Sequence, residues 1–483
     1  MTYFYKLLVF KFLYLLVITQ ALGFTRITSF KEINKDPIDK NPPNIIIILI
    51  DDAGYIDFGF MGSKDLQTPN IDELAESGTV FTDAHVSATV CAPSRAGLIT
   101  GRYQQRFGFE ANGTGGIGLS DGVMTMADVF KENGYNTYAL GKWHLGSDIS
   151  DHPNQRGFDE FYGFLAGSRS YFPLVNPTKE KMLQHNGKWV IFDGYMTDVL
   201  GDQSVHYVEQ NGEHPFFMYL AYNAVHTPMD AKAEDLEKYK SHPRQKLAAM
   251  TWSLDKNIGK LINKLEDLNL RENTLIYFLS DNGGAHNNLS SSGKLKGWKG
   301  NQFEAGHRVP FFISYPKLFP GGNHFKGLSS SLDIFTTSLA AANIKKPEHQ
   351  ILDGVDLLPY LTFKNIGDPH NVLFWRKLEQ SGVRLGNFKT VRLDRFGVNL
   401  YNLNNDLEEE VNLAFSQNNI LNKLEEVYMV WERQLIQPLW DEGDDWMDVT
   451  YHIHKRLLQN KEPMYKDIWD VGFRLNREYY QHN

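Results

Sequence analysis

The chain has 483 residues, 42% of them hydrophobic and 22% charged, an ordinary balance for a globular protein with room for a large core. Its formal net charge of −9 excludes generic affinity for nucleic acid or anionic membrane surfaces, so an anionic ligand has to be met by a local basic pocket. Cys91 is the only cysteine, which excludes an intramolecular disulfide even in an oxidising compartment.

In chain order, residues 1–23 read as a signal peptide. Lys6 and Lys11 lie near an apolar run from Phe12 to Ile18, and Ala21-Leu22-Gly23 supplies small residues for cleavage after about Gly23. The run is far short of the roughly 20 residues that span a bilayer, and no cysteine follows it to carry a lipid, so the expectation is an exported protein, periplasmic or secreted, with no stable membrane anchor. Residues 24–43 form a polar linker. Ile45 to Ile50 then reads as a strand with too little alternation for a wet face, as in buried parallel sheets. Helical periodicity appears around Ile71 to Ser77, Met124 to Asn133 and Lys246 to Leu268. It is interleaved with strand-like Thr137 to Leu140, Phe216 to Ala221, Leu275 to Leu279 and Val309 to Tyr315. This alternation predicts an α/β domain, a central mostly parallel sheet flanked by helices, over residues 44–370. After about residue 370, short alternating runs such as Arg384 to Val391 and Asn399 to Leu403 predict a small antiparallel C-terminal subdomain over residues 371–483.

Ligands of open α/β sheets gather at the carboxyl ends of the strands. Asp51-Asp52 follows the first strand and Asp281-Asn282 follows Leu275 to Leu279. Four oxygen donors suit a hard divalent cation, Ca²⁺ first and Mg²⁺ second, although either pair alone is more often a helix cap or turn former. A lone cysteine is usually a small buried hydrophobe or a free thiol. Here it stands in Cys91-Ala92-Pro93-Ser94-Arg95, with Thr100-Gly101-Arg102 four residues on, and apolar Ala96, Leu98 and Ile99 predict a helix starting near Ser94 whose free N–H groups and dipole face an anion.

That block resembles the C-x-P-S-R-x-x-x-x-T-G motif of the type I sulfatases. The resemblance continues through Gly141-Lys142-Trp143-His144-Leu145-Gly146, Ala224-Val225-His226-Thr227-Pro228, Lys296-Gly297-Trp298-Lys299-Gly300 and the stretch Asp406 to Leu413. It implies an alkaline-phosphatase-like sulfatase fold and conversion of Cys91 by a maturation enzyme to formylglycine, whose hydrate is the nucleophile. A serine would be left as a stable sulfate ester needing a second attack by water, whereas an aldehyde hydrate releases sulfate by elimination through its second hydroxyl. It further implies one Ca²⁺ held by Asp51, Asp52, Asp281, Asn282 and residue 91, lowering the pKa of the attacking hydroxyl and neutralising the sulfuryl oxygens. By the same resemblance Arg95 orients the hydrate, Lys142 holds a sulfate oxygen and residue 91, and His144 removes the second hydroxyl proton. His226 contacts the sulfate and, with Lys299, protonates the leaving alcohol. Two departures stand out: Ala305 replaces a glycine after Glu304, and Trp298 stands where many relatives carry a small residue, which implies either a differently shaped entrance or a ring that stacks on a sugar.

Other polar candidates lack a role. Ser168 and Arg169 both compete for a family polar position, with Arg169 read equally as a substrate contact or a solvated charge, and Arg102, His185 and His307 are not assigned to catalysis. Tyr103, Tyr171 and Trp298 are expected to rim the pocket and, with export, point to a polysaccharide or its oligosaccharides, ulvan or carrageenan ahead of glycosaminoglycans by analogy. The alternatives are a formylglycine-dependent phosphodiester or phosphonate monoester hydrolase, and a non-catalytic carbohydrate-binding relative, which should have lost a metal acid, the nucleophile or a sulfate contact.

Overall fold

Asn44–Ile50 (β1) is buried along its whole length: Ile45, Ile47 and Leu49 enter one hydrophobic cluster, Ile46, Ile48 and Ile50 another on the opposite face. A strand covered on both sides has no reason to alternate apolar with polar, which is why it reads as a continuous run. The remaining strands are Thr79–Phe81 (β2), Ala84–His85 (β3), Asn136–Lys142 (β4), Glu160–Phe164 (β5), Gln184–His185 (β6), Lys188–Trp189 (β7), Phe216–Ala221 (β8), Thr274–Ser280 (β9), Phe311–Ser314 (β10), Asn323–Phe325 (β11), Ser329–Ser330 (β12), Val372–Lys377 (β13), Gln380–Leu385 (β14), Phe388–Leu393 (β15) and Gly397–Asn402 (β16). These come from a computed structural model that describes residues 41–113, 117–442 and 444–460. The expected signal peptide, and the expected linker up to residue 40, lie outside the described residues.

The main sheet runs β11-β2-β10-β9-β1-β8-β4-β5-β6-β7. Its centre, β9-β1-β8-β4-β5, is parallel, and β10 is antiparallel to both β9 and β2. Ile50 pairs with Ser280, and Leu49 and Gly141 both pair with Ala221. Four neighbouring strands therefore end on one line, so residues far apart in sequence emerge side by side.

Both faces carry helices. Cys91–Thr100, Met126–Glu132 and Asp333–Ala341 contribute Ala96, Ile99, Phe130 and Phe335 to the cluster under Ile47. Pro69–Glu76, Met196–Gln210 and Gln245–Asp267 contribute Leu74, Leu200 and Leu254 to the other. The mostly parallel sheet wrapped by helices agrees with the sequence expectation, and so does the separate antiparallel sheet β13-β14-β15-β16. The helices Met196–Gln210 and Asn418–Glu432 were not among the expected elements. The latter covers the C-terminal sheet through Leu424, Tyr428 and Trp431. The sheet is tied to the main body by Trp375 Nε1, which donates to the Val86 carbonyl at 2.8 Å, and by Arg384, paired with Asp83 at 2.6 Å.

The helix expected near Ser94 begins at Cys91. Pro93 falls in its first turn, where a missing N–H costs nothing. The preceding residue Val90 offers no side-chain cap, and the Ala92 N–H instead donates to Asn112 Oδ1 at 3.1 Å.

Candidate active site

Asp51 and Asp52 leave β1, Asp281 and Asn282 leave β9, Lys142 ends β4, and His226 follows β8, while the helix Cys91–Thr100 presents its first residue to the same point. The Cys91 Sγ lies 3.5 Å from Asp51 Oδ1 and 3.8 Å from Asp52 Oδ1. Burial and the Asp281 carboxylate push its thiol well above the ordinary range, which disfavours the thiolate form.

One helical turn on, Arg95 donates from Nε to Asp281 Oδ2 at 2.9 Å and from Nη1 to the Lys142 carbonyl at 2.9 Å, and its Nη2 stands 2.8 Å from Asp281 Oδ2. Lys142 Nζ pairs with Asp51 Oδ2 at 2.6 Å, and Lys299 Nζ with Asp52 Oδ1 at 2.8 Å. Three carboxylates thus face three cations, which is the condition under which buried charge is tolerable. Burial works against the Asp51 carboxylate, yet Lys142, His226 and Arg95 hold it far below its usual range. Asp281, buried and close to Asp51, rises to about 6.

Asp52 has φ of 63°, a left-handed conformation uncommon for a non-glycine residue. Its carbonyl accepts from Asn288 Nδ2 at 3.0 Å and Ser290 Oγ at 2.9 Å, which hold it in place. Asn282 Nδ2 donates to Asp52 Oδ1 at 2.7 Å, which turns Asn282 Oδ1 the other way, buried and without a hydrogen-bond partner. Turning the amide over would aim that unpaired oxygen at Asp52, and with it the donor set of Asp51, Asp52, Asp281 and Asn282 fits a hard, oxygen-seeking cation. Asp51, Asp52, Cys91 and His226 also present ligand atoms within 4.8 Å of one another.

His144 also has positive φ, 58°. Its Nδ1 is buried without a partner, its backbone N–H donates to the Leu165 carbonyl at 3.1 Å, and burial beside Lys142 drives its pKa well below the usual value, so the imidazole is neutral. Its ring packs on Gly167, where an added Cβ would stand 2.4 Å from Nε2. His226 Nε2 lies 3.5 Å from Asp52 Oδ2 and its Nδ1 2.5 Å from the Thr227 carbonyl; burial lowers its pKa against the pull of Asp51 and Asp52. All the candidate residues, Cys91, Arg95, Lys142, His144, His226, Lys299, Asp51, Asp52, Asp281 and Asn282, therefore converge on one site. Asn112 and Asn288, which hold Cys91's helix and Asp52 respectively, escaped the sequence reading. Neither sits in a motif, and each acts at a distance in sequence, Asn112 across 20 residues and Asn288 across 236.

Several expectations need correction. Tyr103 does not rim the pocket: it is buried, its hydroxyl accepts from the Phe374 N–H at 3.3 Å, and its ring packs on Trp431. Tyr171 is also buried and supports the wall from behind, its hydroxyl donating to the carbonyls of Asn223 and, at 2.9 Å, His226. Trp298 is half-buried against His286, with ring centroids 5.4 Å apart. Arg169 is neither a solvated charge nor a free substrate contact. Buried, it donates to the carbonyls of Ser170 and Lys181 and lies near the Phe164 and Phe192 rings. The residues left without a catalytic role need no correction: His185 is exposed and paired with Glu160, and the Arg102 guanidinium lies over Phe107. His307 joins His85 and Glu304 in a second buried group with ligand atoms close together. That group is already satisfied: His85 Nδ1 and His307 Nδ1 share a hydrogen bond of 2.9 Å, and Glu304 is neutralised by Lys389 and Arg308.

The sulfatase family model matches residues 43–344. The chain is 31% identical over 378 residues to N-acetylgalactosamine-6-sulfatase of Canis lupus familiaris, covering 72% of this chain and 71% of that one. It is 31% identical over 392 residues to the uncharacterized sulfatase YdeN of Escherichia coli (strain K12), 70% and 69% of the two chains. Among solved structures, Ps i-CgsB superposes with a TM-score of 0.79 at 37% identity, over 86% of this chain and 98% of that one, and has also been solved in complex with k-i-k-neocarrahexaose. Among the described residues no helix is long and apolar enough to cross a membrane.

Proposed function

The chain belongs to the sulfatase family and hydrolyses sulfate esters, and on that premise we propose that it is an exported enzyme removing sulfate from a sulfated polysaccharide or its oligosaccharides, carrageenan fragments ahead of ulvan and glycosaminoglycans. The observation that carries the chemistry is the ring of Asp51, Asp52, Asp281 and Asn282 closed around Cys91 with Arg95, Lys142 and Lys299 between them. The substrate class rests on the likeness to Ps i-CgsB and its bound carrageenan hexaose.

In this reading Cys91 is converted by a maturation enzyme to formylglycine, which supplies an aldehyde hydrate as nucleophile. Asp51, Asp52, Asp281 and Asn282 Oδ1 would hold Ca²⁺, or less well Mg²⁺, with residue 91 completing the set. Such an ion supplies Lewis-acid polarisation of the sulfuryl oxygens and a lowered pKa at its neighbours. Arg95, pinned by Asp281, orients residue 91. Lys142 and Lys299 are placed to meet sulfate oxygens as point charges in a site shielded from water. The neutral imidazole of His144 is ready to accept the proton whose loss expels sulfate. His226, with Lys299, is assigned to the oxygen of the departing sugar.

The test is inorganic sulfate release by protein matured with a formylglycine-generating enzyme, with Cys91→Ala as control. The panel is carrageenan, ulvan and glycosaminoglycan oligosaccharides, an aryl sulfate and a phosphodiester. Release from carrageenan fragments is expected. Turnover of the phosphodiester alone would overturn the sulfatase assignment, and full activity with an unmodified Cys91 thiol would overturn the nucleophile.

A further inference from the structure

Lys299 lies on a loop held at two ends by different parts of the molecule. On the nucleophile's side, the Lys299 N–H donates to the Gly284 carbonyl at 3.0 Å and the Gly300 N–H to the Thr89 carbonyl at 2.8 Å. On the other side the partners are C-terminal. The Lys296 ammonium, three residues earlier, donates to the Glu409 carbonyl at 2.7 Å and to Asn460 Oδ1 at 2.8 Å. Trp298, next to Lys299, packs on a cluster containing Phe303, Tyr401 and Leu457.

Behind this loop sits a charged group with no access to water. Lys389 Nζ, from β15, donates to Glu304 Oε1 and Glu409 Oε1, both at 2.9 Å, and all three side chains are 0% exposed. Glu409 Oε2 also accepts from the Glu304 N–H at 2.7 Å. Glu409 thus grips the segment 296–304 twice, by its carboxylate at Glu304 and by its carbonyl at Lys296, and it does so from a left-handed conformation, φ 53°. Non-glycine residues adopt that conformation at a cost and persist in it where surrounding contacts over-determine it. Glu304 also has Arg308 at 3.1 Å, but Lys389 is the cation shared by the two buried carboxylates, and removing it leaves Glu409 facing Glu304 without the bridge between them.

We infer that Lys389 is a positioning residue for Lys299, acting through Glu304, Glu409 and Lys296, so that the C-terminal sheet sets where the Lys299 ammonium stands in the active site. This rests on the role given above to Lys299. The competing account is that Lys389 merely fastens the C-terminal sheet to the body, in which case its loss would lower activity whether or not Lys299 is present.

A double-mutant cycle separates the two accounts. Lys389→Met, Lys299→Ala and the double variant are matured and assayed on a sulfated oligosaccharide and an aryl sulfate, with thermal melting as a check on folding. Expected for Lys389→Met is a loss of about 10-fold or more in kcat/KM, divided between the two substrates as it is for Lys299→Ala, and little further loss, about 2-fold at most, in the Lys299→Ala background. Multiplicative losses in the double variant would overturn the inference. Because Lys389→Met risks misfolding, Lys296→Met, at a half-buried position, is the second variant. It severs the link to the Glu409 carbonyl and should give the same pattern on a smaller scale, whereas undiminished activity overturns the proposed route. If Lys299→Ala alone leaves both rates unchanged, the role of Lys299 falls, and the inference with it.

Discussion

Arg95 and Asp281, 186 residues apart, are joined by two contacts to a single oxygen: Arg95 Nε at 2.9 Å and Nη2 at 2.8 Å from Asp281 Oδ2, with both side chains buried. The pair ties the nucleophile's helix to the end of β9, so the residue that aims Cys91 and a residue assigned to hold the cation are mechanically the same device.

Asp281→Ala should therefore do two things at once. Bound calcium, measured by elemental analysis, and sulfate release should disappear together. Melting should also show a destabilisation of about 3–5 kcal/mol, because a buried guanidinium is left without its partner. Calcium retained at full occupancy would place the ion elsewhere.

Gly167→Ala tests the placement of His144. A Cβ there would lie 2.4 Å from His144 Nε2 and 2.6 Å from its Cε1, closer than atoms tolerate, so the imidazole has to shift. Gly167 itself carries no positive φ, and the variant should fold normally. A displacement on the order of 1 Å costs about 100-fold in rate. An unchanged kcat would show that His144 is not the base.

His226→Ala should discriminate between leaving groups. A sugar alkoxide needs a proton and a phenolate does not, so the loss on a sugar sulfate should reach about 10²–10⁴-fold while an activated aryl sulfate falls much less. Equal losses on both would make His226 a sulfate-binding residue.

Stability should depend on pH through His370, whose Nε2 stands 2.6 Å from Asp333 Oδ1. Burial disfavours the imidazolium, but Asp333, with Asp353 further off, outweighs it and raises the pKa above the ordinary value. A raised folded-state pKa stabilises fully below the unfolded value of about 6.5 and loses that contribution as pH climbs through the folded pKa. The melting-temperature gap between the native protein and His370→Gln should accordingly be largest near pH 5.5 and shrink towards pH 8.5. A gap constant with pH would exclude the ion pair.

Much of the fold and site was legible because the signals are local. Ile45 to Ile50 reads as a buried strand because both its faces are covered, and the acids beyond it read as donors because strand ends collect ligands. The misreadings share a cause as well. Tyr103, Tyr171 and Arg169 have compositions that suit a pocket rim, but whether a tyrosine hydroxyl faces solvent or a backbone carbonyl, as Tyr171 faces those of Asn223 and His226, depends on which segments pack against it. The start of the nucleophile's helix was misjudged by three residues because the Ala92 N–H is served by Asn112, 20 residues further on, and not by a local cap.

The sequence by itself determined the kinds of group available: one cysteine in its motif, oxygen donors at two strand ends, a lysine and a histidine after two others. Those are properties of residue type and short spacing. Only the tertiary structure decided that they meet. The parallel register that aligns the ends of β9, β1, β8 and β4 brings Asn282 within 2.7 Å of Asp52 across 230 residues. It leaves Asn282 Oδ1 buried and unpaired, while the packing of the C-terminal segment puts Glu409 behind the loop that carries Lys299. Such contacts follow from how whole elements pack, because a buried charge is tolerable only where its partners have been delivered by the rest of the fold.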